Sequence, residues 1–189
     1  MIVRIVGGNF RSRQLKSLRG LAMRPSSDRL RETLFDILGH AVRGSLFIDA
    51  YAGTGAVGIE AASRGAREVF FFESHSPAVA LIRKNLATLA IVSGVSLFSM
   101  DAVRGLEMLA SRHLHADFVF VDPPYAARDE YERALEALDR LPLLAPGGRV
   151  IVEHSKRSLP PEGWATLERE RLVELGDSAL TFFRLSLAA

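Results

Sequence analysis

A strand that runs straight into a glycine-rich turn and then a helix constrains this chain more than any other feature. Leu46-Phe47-Ile48-Asp49-Ala50-Tyr51 reads as a buried strand, and it leads into Ala52-Gly53-Thr54-Gly55-Ala56-Val57-Gly58. The alanine-rich stretch from Ile59 to Ser63 then reads as a helix. A strand, a glycine turn and a helix form the first unit of a nucleotide-binding α/β sheet. Glycine lets the backbone approach a ligand without a Cβ clash. The helix start offers free N–H groups and a partial positive charge to an anion such as a carboxylate or phosphate. Taken alone, the turn fits NAD, FAD or S-adenosylmethionine, and equally a tight packing turn.

The rest of the chain repeats the alternation. Val69 to Phe72, Val95 to Met100, Phe118 to Val121 and Arg149 to Glu153 read as strands. A helix beginning near Ser76-Pro77, with Ser as its cap, turns Val79, Ile82, Leu86 and Leu89 inward, and Asp129 to Leu141 reads as an amphipathic helix. Pro146-Gly147-Gly148 is expected to turn the chain into the fifth of these strands. Trp164 to Leu175 and Ala179 to Leu187 read as a closing antiparallel pair. Ahead of the first unit, Ile2 to Leu18 reads as a basic hairpin-like extension bent at Gly7-Gly8, and Asp28 to Gly39 as a helix. The pattern implies a single α/β domain over residues 1–189 with a mainly parallel sheet, helices on both faces and an antiparallel C-terminal strand.

Ligands in such sheets bind beyond the carboxyl ends of the strands. Acids stand at four of these ends: Asp49, Glu73, Asp101 and Asp122. Glu73 lies about 20 residues past the glycine turn, where a ribose hydroxyl is held in such folds. Asp101, followed by Ala102, suits an adenine amino group and equally a helix cap. Asp122-Pro123-Pro124-Tyr125 is the most chemically specific stretch. Each proline fixes its own φ and lacks an N–H, and the first keeps Asp122 out of the helical region. The result is a rigid rim of acceptors beside a flat ring, suited to a planar group with an exocyclic NH₂ such as a nucleobase. The alternative is an acidic turn closing a strand.

Composition narrows the classes. The 189 residues contain no cysteine, so neither a disulfide framework nor thiolate chemistry is available. No apolar run approaches the roughly 20 residues of a membrane span, and Arg4, Arg11 and Arg13 interrupt any leader-like stretch, so a cytoplasmic protein is expected. His113 and His115 have no nearby cysteine or acid in a ligand pattern, so no metal is expected. The net charge of +2 is unevenly placed: residues 1–31 carry eight cationic side chains against one acid, and the other 158 carry 16 against 21. A basic segment on a mildly acidic body is the footprint of a polyanion-binding protein.

Together these motifs resemble a known family. Asp49-x-Tyr51-x-Gly53-Thr54-Gly55, Glu73, Asp101-Ala102 and Asp122-Pro123-Pro124-Tyr125 follow the order and spacing of S-adenosylmethionine-dependent amino-methyltransferases. Ile5 to Arg13, Arg24 to Phe35 and Ala61 to Ala66 look like the RsmD family, whose members methylate guanine N2 in bacterial 16S ribosomal RNA. The resemblance implies a Rossmann-like S-adenosylmethionine-dependent methyltransferase fold. It implies cofactor binding by Asp49, Tyr51, Gly53, Thr54, Gly55, Glu73, Asp101 and Ala102, and catalysis by Asp122, Pro123 and Tyr125, with Tyr125 stacked on the base. Arg4, Arg11, Arg13, Arg24 and Arg29, mostly within a basic extension over residues 1–27, are then expected to bind RNA. The expected partner is 16S ribosomal RNA within a small ribosomal subunit or assembly intermediate, met by a monomer. The alternatives are methylation of another amino group, such as adenine N6 in DNA or RNA, a nicotinamide-dependent oxidoreductase, or a non-catalytic RNA-binding module.

Overall fold

The computed structural model describes residues 3–17, 28–123, 128–162 and 164–186. A small hairpin comes first, with β1 (Val3–Arg4) antiparallel to β2 (Gln14–Leu15). Then follow α1 (Asp28–Leu38), β3 (Leu46–Asp49), α2 (Ala56–Ser63), β4 (Glu68–Phe72) and α3 (Ser76–Thr88). The second half contains β5 (Val95–Phe98), α4 (Ala102–Ser111), β6 (Ala116–Val121), α5 (Arg128–Arg140), β7 (Leu144–Ser155), β8 (Leu167–Leu175) and β9 (Ser178–Leu185).

Seven strands form one sheet in the order β5-β4-β3-β6-β7-β9-β8. β3 to β7 run parallel, and β9 pairs antiparallel with both β7 and β8. The expected mainly parallel sheet with an antiparallel C-terminal end is therefore present. Strand residues alternate between faces, and each face has its own core. Phe47, Phe71, Phe118, Phe120 and Ile151 pack with α1, α2, α3 and the N-terminal hairpin. Ile48, Phe70, Phe72, Val119 and Val121 pack with α4 and α5. Phe70, Phe71 and Phe72 are thus all core residues.

Four local expectations need correction. β5 stops at Phe98, so Asp101 lies beyond the strand as the cap of α4. Pro146-Gly147-Gly148 does not start a strand: Leu144 already pairs with Ala116 and Arg149 with Phe118, so the turn-forming residues make a bulge inside β7. The cap of α3 is His75, with no side-chain bond, and Ser76 is already helical beside Pro77. Trp164 lies outside β8 and instead donates its indole N–H to the Pro161 carbonyl at 3.0 Å.

Candidate active site

Strand register builds the site. Asp49 is level with Phe71 on β4 and with Phe120 on β6. Glu73 and Asp122 each follow their level residue by two positions, so they stand roughly 7 Å further along the strands than Asp49. One strand lies between them, which separates the two chains by roughly 10 Å. Asp49 therefore forms the floor of a slot whose rims are Glu73 on one side and Asp122-Pro123 on the other. The chain leaves β3 in one direction to β4 and β5, and returns on its other side at β6. That reversal is the switch point where open α/β sheets bind ligands.

The glycine turn fills the Glu73 side of this slot. Gly55 begins α2 in the left-handed region at φ 76°, where a side chain would be strained and its Cβ would press on Ile82 at 3.2 Å. The Gly55 amide donates to the Ala52 carbonyl at 2.6 Å and closes the turn. No residue at the start of α2 supplies a cap from its own side chain. Asp49 does so from the strand instead, accepting from the Gly58 amide at 2.9 Å. Glu73 reaches in from the side: one carboxylate oxygen accepts from the Gly53 amide at 2.8 Å and the other from the His75 amide at 2.7 Å.

Asp49 is 1% exposed, and burial pushes its carboxyl up from 3.8 to about 7. The Gly58 amide opposes that rise and the nearby Glu73 charge adds to it. A buried carboxyl poised at neutrality, beside a second carboxylate, is the environment that a cationic ligand group relieves. The donor set suits an amino-acid-bearing nucleoside: glycine backbone for close approach, carboxylates for an ammonium and for hydroxyls.

Tyr51 is half-buried at the head of the turn. Its hydroxyl donates toward the Glu130 carbonyl at 3.1 Å and the Glu130 carboxylate at 3.3 Å. Burial, then the Glu130 and Asp101 charges, hold its ionisation above the ordinary tyrosine value. It thereby joins the glycine turn to α5, which follows Asp122-Pro123 in the chain. Asp101 caps α4 by accepting from the Arg104 amide at 3.2 Å, and Ala102 is buried behind it. Asp122 is half-buried at the end of β6 and Pro123 is buried. Tyr125 and Arg24 lie outside the described residues.

Sequence reasoning missed Asn85, which is 1% exposed in α3. Its amide nitrogen donates to the Thr54 carbonyl at 3.2 Å and the Lys16 carbonyl at 3.1 Å, and its oxygen accepts from the Lys16 amide at 2.8 Å. A polar residue among the inward positions Ile82, Leu86 and Leu89 was the available signal. The hairpin is anchored just as closely to α2. The Val6 amide donates to Glu60 at 2.8 Å, the Phe10 amide to the Ser63 hydroxyl at 2.9 Å, and that hydroxyl to the Gly7 carbonyl at 2.6 Å. Arg4, Arg11, Arg13 and Arg29 are exposed, and Arg4 pairs with Asp28 at 3.1 Å. His154 faces inward, with its ring bonded to Ser155 and Thr181 and its charged form disfavoured by burial. Among the described residues, no cluster of histidines and acids is placed to hold a metal.

The parallel sheet, the glycine turn at its switch point and the strand-end acids define a Rossmann-like methyltransferase fold. The family model described as Conserved hypothetical protein 95 matches residues 3–184. The chain is 34% identical to "Ribosomal RNA small subunit methyltransferase D" of Escherichia coli K12 over 174 residues, 90% of this chain and 85% of that one. It is 33% identical to the protein of the same name from Haemophilus influenzae, covering 89% and 88%. The solved structure of the Escherichia coli protein yhhF superposes with a TM-score of 0.85 at 29% identity, covering 98% of both chains. The chain belongs to the Conserved hypothetical protein 95 family, the RsmD family of its sequence resemblance.

Proposed function

We propose that this chain transfers a methyl group from S-adenosylmethionine to the exocyclic N2 amino group of a guanine in 16S ribosomal RNA. The observation that carries the reading is the position of Asp122-Pro123 across the switch point from the Asp49–Glu73 glycine turn. The kinship with ribosomal RNA small subunit methyltransferases supports the substrate class. The enzyme acts as a monomer in the cytoplasm, on a small subunit or an assembly intermediate.

S-adenosylmethionine supplies a methyl group on a positively charged sulfur. Gly53, Thr54 and Gly55 would hold its methionine part, with Asp49 beneath as the buried counter-charge. Glu73 would accept from the ribose hydroxyls, and Asp101 with Ala102 would border the adenine. Tyr51 would border the cofactor beside the glycine turn, and its hydroxyl also ties that turn to α5.

Guanine N2 is a poor nucleophile because its lone pair is delocalised into the ring. The Asp122 carboxylate and the Pro123 carbonyl would accept its two hydrogens and draw the nitrogen toward tetrahedral geometry. Bound S-adenosylmethionine would supply the methyl group to the freed lone pair, and Asp122 or water would take the extra N2 proton. Placement and electrostatics supply the rate, and no strong base is required before transfer. Tyr125 would stack on the base. An unpaired RNA base reaches such a site at little cost, whereas a paired one must flip.

Asp122→Ala tests this reading. Methyl transfer to small ribosomal subunits is expected to be lost, while S-adenosylhomocysteine still binds with affinity close to that of the parent protein. Full activity in the variant would refute the role of Asp122.

A further inference from the structure

Lys16 and Lys84 have no place in the reaction just described, yet the fold brings them to one seam. α3 lies beside the N-terminal hairpin, and three bonds define the seam. Asn85 binds both backbone groups of Lys16, at 2.8 and 3.1 Å. Lower down, the Arg13 guanidinium reaches the Thr88 carbonyl at 3.5 Å, so it sits at the C-terminal, partly negative end of α3. The Thr88 hydroxyl bonds back to the Lys84 carbonyl at 2.8 Å, which puts Lys84 on the same helix face. Arg13, Lys16, Arg83 and Lys84 are all exposed.

The charge along this seam has one sign. Residues 3–17 contain Arg4, Arg11, Arg13 and Lys16, and residues 76–88 contain Arg83 and Lys84; neither stretch contains an acid. Neither Arg83 nor Lys84 is ion-paired to a described residue. The opposite face differs: α5 carries five acids against three cations. The seam also leads to the site. Asn85 touches the Thr54 carbonyl of the glycine turn as well as Lys16, so the upper end of the cationic row is one side chain from the cofactor turn. The row then descends α3 for roughly one further turn, about 5 Å, to Arg13.

We propose that the RNA backbone leaves the active site along the seam between the N-terminal hairpin and α3, with Lys16 and Lys84 as phosphate contacts and Arg13 at its far end. This rests on the RNA-methylating reading above and extends the RNA surface beyond the arginines of the N-terminal segment. Such contacts add affinity and salt dependence and leave base choice to the site.

The test is a double variant at the seam, Lys16→Ala with Lys84→Ala. Both side chains are exposed, and Lys16 meets Asn85 through its backbone, which alanine keeps. A second double variant, Arg112→Ala with Arg140→Ala, removes the same charge from the opposite face. Binding to a 16S ribosomal RNA transcript is measured from 50 to 200 mM KCl at fixed Mg²⁺, with S-adenosylhomocysteine affinity and methyl transfer to small subunits followed in parallel. Losing two phosphate contacts should make the slope of log affinity against log salt shallower by about 1.4 to 1.8. Across that salt range the parent protein then loses roughly tenfold more affinity than the variant. The seam variant should show this change with unaltered cofactor affinity, and the control variant should match the parent. Equal slopes in parent and seam variant, or equal losses in both variants, would overturn the seam while methylation by the parent stands. A parent protein that neither binds the transcript nor methylates subunits would overturn the functional reading as well.

Discussion

Asp49→Asn separates the stability of the site from its chemistry. In the native protein the Asp49 carboxyl is raised from 3.8 to about 7 by burial. A native value above the unfolded one means that the folded state holds the proton more tightly between those limits. Stability is therefore full below about pH 4 and is lost as pH rises toward 7 and beyond. A shift of about three units corresponds to about 4 kcal/mol in full, of which about 2 to 3 accumulates between pH 5 and 8. Asparagine keeps an oxygen to accept from the Gly58 amide and has no charge to bury. Every other group is common to both proteins, so the difference in unfolding free energy isolates Asp49. Urea denaturation at pH 5 and pH 8 should show that difference moving by about 2 to 3 kcal/mol in favour of Asp49→Asn. The same variant should bind S-adenosylhomocysteine more weakly, because the counter-charge under its ammonium is gone. A stability difference that is the same at both pH values would refute the reasoning, since Asp49 would then ionise alike in the folded and unfolded chains.

Three other substitutions probe the scaffold. Glu73→Gln leaves one acceptor for the two amides of Gly53 and His75; one of these charge-assisted bonds is lost, and calorimetry should show S-adenosylhomocysteine binding weakened by about tenfold or more. Unchanged affinity would remove Glu73 from the cofactor site. Gly8→Ala places a side chain at φ 74°, with a Cβ 2.0 Å from the Ser63 carbonyl oxygen, so the hairpin must lift from α2; the expected loss is about 2 kcal/mol or more by urea midpoint, and an unchanged midpoint would contradict the docking. Asp139 accepts from the Ala165, Thr166 and Leu167 amides and the Thr166 hydroxyl; against the burial that would raise it, these donors hold its carboxyl below the ordinary value. Its contribution is therefore present above about pH 4 and fades on acidification, so the deficit of Asp139→Ala should shrink as pH falls below about 4.

The alternation of strands and helices was legible because buried parallel strands are short apolar runs and the glycine turn at 53–55 sits at a junction. The acids at strand ends were legible for the same reason, since a carboxylate after an apolar run marks the edge of the sheet. The bulge in β7 was not, because Pro146-Gly147-Gly148 has turn chemistry and only the pairing of Leu144 with Ala116 shows that the strand has already begun. Asp101 stood open between ligand and cap, and local geometry supports the cap. The second partners of the site were invisible for a different reason. Asn85 to Lys16 and Tyr51 to Glu130 span 69 and 79 residues, and no local pattern encodes a hydrogen bond at such separation. Glu60 looked like one polar residue in an alanine-rich helix, yet it is fully buried and receives the Val6 amide.

The most direct test identifies the product nucleoside. Small ribosomal subunits lacking methylation are incubated with the protein and methyl-labelled S-adenosylmethionine, and the 16S RNA is digested and separated. Label in N2-methylguanosine, absent with Asp122→Ala, is the expected result. Label in N6-methyladenosine would contradict guanine as the base received at Asp122-Pro123, and no label from a protein that binds the cofactor would contradict methyl transfer to this RNA.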